Sequence, residues 1–184
     1  MAVKVRKRGR PAQDQTQLTA ELIVLTARRL MQENGKVPSI RQVSSELGVD
    51  PMAIYHYFSS KSVLLEALTI SLIEDIYDPK EGGKWQDELE QLCKSYLELL
   101  GTHPGLLETL LSMKTLGPAQ VFNQRLAIIL APLELSQSAF TQAQDLLVDY
   151  MHGVALAIQC NPDNLSSDCI DGPISLIRLG LESR

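Results

Sequence analysis

Apolar side chains recur along this chain at intervals of three and four residues, the spacing of one face of an α-helix. In the first such stretch, 16–34, Leu18, Leu22, Leu25 and Leu30 join Ile23, Ala27 and Met31 in a stripe wide enough for two neighbours. Thr16 or Thr19 starts it, and Asn34-Gly35 supplies a left-handed stop. Val37-Pro38 leads into 39–47, where Ser39 caps a short helix and Ile40, Val43 and Leu47 share one face. Gly48 accepts the positive φ of a helix C-cap, and Val49 tucks beneath the turn. Asp50 then caps a third helix over 50–57, with Pro51 at its first position, where a missing N–H costs nothing. Ile54 and Phe58 point inward there, leaving Met52, Ala53, Tyr55, His56 and Tyr57 on or near the outer side.

Ser59 or Ser60 caps a fourth helix, 60–77, with Lys61 in its first turn and Val63, Leu64, Ala67, Leu68, Ser71 and Leu72 at helical spacing. It is long enough to leave one unit and enter the next, and the run Asp78-Pro79-Lys80-Glu81-Gly82-Gly83 marks the boundary. Beyond it, 85–100 carries Leu89, Leu92, Cys93, Tyr96, Leu97 and Leu100 on one broad face. Further helices are expected over 104–113, 118–130, 136–159 and 174–182, punctuated by Gly101, Gly117-Pro118, Pro132 and Asp171-Gly172-Pro173. The pattern contains no convincing strand, repeat or low-complexity segment. It predicts an all-α chain of about nine helices. A flexible arm over 1–15 precedes a three-helix unit over 16–61, and a helical body follows over 62–184.

Composition changes this picture through its distribution. The net charge of −5 does not suggest nucleic acid, but residues 1–61 hold ten Lys/Arg against five Asp/Glu, whereas 62–184 hold seven against seventeen. That is a basic head on an acidic body. The arm, with Arg8 and Arg10 inside Arg6–Pro11, has no apolar period; it reads either as a minor-groove DNA arm or as a solvated tail. Cys93, Cys160 and Cys169 are odd in number and widely spaced, so reduced thiols are expected, with Cys160–Cys169 the pairing a redox response would use. No signal peptide is apparent, and the longest apolar patch, 126–135, is broken by Pro132 and too short to cross a bilayer. A cytoplasmic protein without membrane association is expected.

A helix, a Gly turn and a second helix form either an ordinary αα-corner or a helix-turn-helix, which lays its second helix in the DNA major groove. From its basic start through LGVDPMAIYHYFSSKSVLLEAL the chain resembles the TetR family of bacterial transcriptional regulators. The likeness is specific over the first third and architectural beyond it. By position it implies DNA contact through Ser39, Arg41, Pro51, Met52, Ala53, Tyr55, His56, Tyr57 and Lys61. Arg41 and Lys61 would hold phosphates, and Met52 and Ala53 would meet thymine methyls. Tyr57 stands where many relatives have His, and Ser44 stands at a position often Ala.

The resemblance also implies a small-molecule effector pocket in the body, a homodimer on a palindromic operator, and a fourth helix that acts as lever between body and head. Trp85, Tyr96, Met113, Phe122, Tyr150 and His152 are the pocket candidates, and each fits the core equally well. The last two helices, with Phe140, Leu147, Met151, Val154, Ile158, Ile174 and Ile177, resemble a four-helix dimer interface or bury one another within one subunit. His56, His103 and His152 lie in separate segments with no metal or nucleophile signature, so neither catalysis nor a metal or cofactor is expected. The expected function is sequence-specific transcriptional regulation, most simply repression. Activation and nonspecific architectural DNA binding are the alternatives.

Overall fold

The computed structural model describes residues 17–103, 105–107, 118–161 and 166–183, and all regular structure among them is helical. Eight α-helices follow one another: α1 Ala20–Asn34, α2 Ile40–Leu47, α3 Pro51–Tyr55, α4 Lys61–Ser71, α5 Trp85–Thr102, α6 Pro118–Leu130, α7 Gln137–Cys160 and α8 Asp171–Glu182. The helix expected over 104–113 lies outside the described residues.

Short polar side chains start the helices of the head. Thr19 accepts from Leu22 N, Asp50 from Met52 N and Ser60 from Val63 N. Ser39 and Gln42 form a reciprocal capping box on α2. Gly35 and Gly48 close α1 and α2 in the left-handed region, at φ +64° and +66°. Ile23, Ala27, Leu30 and Met31 of α1 pack with Val43, Ile54, Phe58, Leu64 and Leu68 into one core. Ser44 is buried there, and its hydroxyl donates to Arg41 O at 3.1 Å, so the serine fits without an orphaned polar atom.

Several apolar positions face the other way. Leu25 and Val63 are exposed, because the buried sectors of α1 and α4 are centred on Ile23–Ala27 and on Leu64–Leu68. Helix α4 ends at Ser71 rather than near 77; a 3-10 turn, Ile73–Asp75, follows it. The apolar period continues through Leu72 and Ile76 because both remain buried, although the backbone has left the α-helix.

In the body, α5 packs against α6, α7 and α8. Leu89, Leu92, Cys93, Tyr96, Leu97 and Leu100 are all buried on it, as the sequence predicts. Burial pushes the Cys93 thiol up to about 12, with the Glu90 charge adding to the effect. The strap between α4 and α5 is pinned by Glu88, whose carboxylate accepts from Lys80 N at 2.8 Å. A side chain at Gly83 would overlap Glu88, a Cβ there falling 2.3 Å from its Oε1.

The far end of α5 reaches the head. His103 is buried where it caps α5; its Nδ1 lies 3.1 Å from Leu99 O and its Nε2 3.1 Å from Gln32 Nε2 of α1. With Nδ1 donating to the carbonyl, Nε2 accepts from the amide, so the neutral ring is satisfied. Gly105, at φ +85°, lies close against the Gly35–Val37 turn. Burial lowers the His103 pKa, opposed by the Leu99 carbonyl; Arg28 lowers it further and Asp75 raises it. Because the folded pKa lies below the unfolded one, this contribution is full above the ordinary imidazole range, about 6.5, and is lost as pH falls towards the folded value. Urea unfolding at about pH 7.5 and about pH 5.5 should show stability falling in acid, and falling less in His103→Gln. An equal acid loss in both proteins would exclude His103 as a source.

Candidate functional site

The outer face of α3 is built by the turn beneath it. Val49 N donates to Ser44 O at 3.0 Å and Asp50 accepts from Met52 N at 2.8 Å, which fixes the angle between α2 and α3. Ile54 and Phe58 anchor the inner side in the head core. Met52 is then 63% and Tyr55 42% exposed, His56 is exposed, and Pro51 and Ala53 are half-buried beside them. Arg41 and Lys61 are also exposed, in the first turns of α2 and α4. Arg8 and Arg10 lie outside the described residues.

Those basic residues occupy positions that oppose the helix dipole, where a cation costs about 0.3–1 kcal/mol. The first turns of α2, α3 and α4 carry no acidic side chain, whereas α5 opens with Asp87 and Glu88. Three neighbouring N-termini on the head therefore leave their backbone N–H groups and positive ends without a carboxylate in the first turn. That arrangement suits an anion from outside.

Two predicted contact residues have intramolecular work. The Ser39 hydroxyl accepts from Gln42 N and donates to Gln42 Oε1 at 2.8 Å. Tyr57 donates its hydroxyl proton to Leu18 O at 2.6 Å, tying the end of the recognition segment to the entry of α1. Phosphate oxygens only accept, so either hydroxyl would have to break its bond to donate there. Tyr57→Phe should destabilise the head by about 0.5–1.5 kcal/mol, the range for one net hydrogen bond, in chemical denaturation. An unchanged midpoint would mean that the bond contributes nothing in solution.

In the body, Tyr96, Phe122 and His152 come together from α5, α6 and α7. The Tyr96 and Phe122 rings are 4.8 Å apart, and the Tyr96 hydroxyl lies 2.9 Å from His152 Nε2. Burial raises the Tyr96 pKa and lowers that of His152, with Asp149 opposing the latter, so a neutral phenol donates to a neutral ring. Trp85 sits near the start of α5, about 16 Å of helix from Tyr96. Tyr150 is half-buried with Cys169 near it, and Met113 lies outside the described residues. Sequence reasoning passed over Asn123, next to Phe122, whose Oδ1 is buried with no hydrogen-bond partner among the described residues. A lone Asn in an apolar helix was the available signal.

The predicted dimer set divides. Leu147, Met151 and Ile174 are buried inside the subunit and present no surface to a second copy, while Phe140, Val154, Ile158 and Ile177 are half-buried. The exposed line on α7 and α8 is instead Leu146, Leu156, Leu176 and Leu179, with Gly153, Gly172 and Gly180 on the same surface. An apolar groove of about 300 Å³ runs between the two helices, with Ala139, Ala143, Leu146, Leu176, Ile177 and Gly180 among its walls. No described helix is long and apolar enough to cross a membrane.

Comparison with known proteins places these features. Residues 23–68 match the family model for bacterial regulatory proteins of the tetR family, and residues 78–167 match the tetracyclin repressor-like C-terminal domain. The HTH-type transcriptional repressor DrrR1 of Streptomyces coeruleorubidus is 27% identical over 142 residues, 75% of this chain and 53% of that protein. The chain thus spans about half the length of that relative. In fold it is similar to the Streptomyces coelicolor TetR family protein ActR, solved in complex with actinorhodin. The TM-score is 0.74 and the identity 20%, over 91% of this chain and 97% of that one. It is also similar to BioQ, solved with its double-stranded DNA operator, at a TM-score of 0.73 and 18% identity over 91% of this chain and all (100%) of that one. The two matched models cover the head and most of the body, and the helix-turn-helix falls within the first of them: the chain belongs to the TetR family of bacterial regulatory proteins.

Proposed function

We propose that this chain is a cytoplasmic, sequence-specific transcriptional regulator, a homodimer that represses from a palindromic operator and is released by a small-molecule effector. The observation that carries the reading is the outer face of α3, with Met52, Tyr55 and His56 free between two exposed first-turn cations, Arg41 and Lys61. Such a face offers apolar and polar readers to base edges while the flanking cations and helix N-termini hold phosphates. BioQ was solved on an operator, which supports the same use of this head.

The effector site proposed is the Tyr96–Phe122–His152 cluster with Asn123. It combines aromatic surface with a few polar atoms, as small-molecule sites do. ActR was solved with actinorhodin, and a TetR from Acinetobacter baumannii AYE with minocycline; both relatives support an apolar effector with polar substituents.

For the dimer, the exposed line of α7 and α8 is the proposed contact. A Gly inside a helix costs about 1 kcal/mol relative to Ala. Added Cβ atoms at Gly153, Gly172 and Gly180 would meet nothing in the subunit, so close approach by a second backbone explains them. Paired half-sites then match a two-fold axis.

Fluorescence anisotropy with duplex from the gene's own upstream region should show a preference of about a thousandfold or more over scrambled duplex. Arg41→Ala and Lys61→Ala should each lower the log–log salt slope by about one. Equal, steeply salt-dependent binding to both duplexes would replace this reading with nonspecific architectural binding. Separately, sedimentation should give a dimer for the native chain and a monomer for Leu176→Asp. A dimer that survives the aspartate would place the interface elsewhere.

A further inference from the structure

The strap between α4 and α5 has hydrogen-bonding partners on both sides. From the head, the Arg28 guanidinium reaches Ser71 O at 3.5 Å and pairs with Asp75. From the body, Tyr77 N donates to Ser95 Oγ at 2.8 Å and Lys80 N to Glu88 Oε2 at 2.8 Å, both partners on α5. The remaining body contact comes from another helix. Arg125 of α6 donates to Ile76 O, and its Nε lies 3.3 Å from Asp78 Oδ1.

The two halves of the Arg125 contact are unequal. The Arg125 side chain is mostly buried, at 16% exposure, and Ile76 is in the core, whereas Asp78 is 83% exposed. A solvated partner contributes little to an ion pair, so the charge-assisted bond to the Ile76 carbonyl is the stronger hold. Arg125 stands one turn beyond Phe122, the α6 residue packed against Tyr96. Anything that displaces Phe122 along or about α6 therefore moves the group that grips the exit of α4. Neither α5 contact has this link, because each belongs to the helix the strap runs into.

We propose that Arg125 is the positioning residue through which the body holds the exit of α4, and through α4 the head. The proposal rests on the reading of the chain as a regulator whose body governs its head. Cutting this contact frees the strap and lets the head take up orientations that do not fit the operator. The apparent affinity then drops by the fraction of molecules still competent. A purely local support would loosen the strap alone.

The test uses the full chain as R125Q, R125K and D78N, with hydrogen–deuterium exchange read by mass spectrometry and anisotropy on the gene's own upstream duplex. In R125Q, exchange over 72–80 should quicken about tenfold or more, together with 35–37 and 99–107, where the head meets the end of α5. Affinity for the upstream duplex should fall about tenfold, while that for scrambled duplex stays constant. R125K, which reaches only one of the two acceptors, should shift the same peptides less, and D78N should behave as the native chain. Faster exchange confined to 76–78, native affinity in R125Q, or no shift in either Arg125 variant would overturn the proposal. If the native chain shows no preference for its upstream duplex, the regulator reading fails, and the exchange data still decide whether Arg125 sets the junction.

Discussion

Burial of one face of α5 is the constraint on which the rest of the molecule depends. Leu89, Leu92, Tyr96, Leu97 and Leu100 are each at most 2% exposed, and α6, α7 and α8 all pack against this helix. A fully buried Leu contributes about 1.5–3 kcal/mol, so this face outweighs any surface pair in the chain. The polar ends of the same helix do the connecting. Glu88 at its start grips the strap, and His103 at its end meets Gln32 of α1. One buried helix thus fixes the body and sets two of the body's contacts with the strap and head.

The head is small and relies on local devices. Domains of its size bury a modest fraction of their surface and are marginal alone. Side-chain caps at Thr19, Ser39, Asp50 and Ser60 stabilise its helices by about 1 kcal/mol each. Against this stands the placement of Arg41 and Lys61 in first turns, which works against stability in the free protein. The conflict resolves if the missing anions are phosphates. Local rules broken without compensation inside the chain commonly mark a functional surface.

Much of the architecture was legible because helix boundaries are written in short polar caps and glycines. Ser39, Gly48, Asp50-Pro51 and Ser136 all act where the pattern placed them. What stayed hidden was which side of an apolar helix faces its own subunit. On α7 and α8 periodicity finds two apolar lines, one through Leu147 and Met151 and another through Leu146 and Leu156, and spacing cannot say which is inside. The end of α4 was misjudged because Leu72 and Ile76 keep an apolar rhythm after the helix has stopped. The work of Ser39 and Tyr57 was hidden for another reason. A hydroxyl's partner, such as Leu18 O for Tyr57, lies far away in sequence. Arg125 and His103 belong to the same class, since their partners come from other helices.

The central claim is that the outer face of α3 meets DNA while the acidic body stays clear of it. Hydroxyl-radical footprinting of the protein, read by mass spectrometry with and without the upstream duplex, tests this most directly. Met52 and Tyr55, exposed in the free chain, should be protected strongly by the duplex, and Leu176 and Leu179 on α8 should be unaffected by it. Protection that misses Met52 and Tyr55, or that falls on the body, would contradict the account.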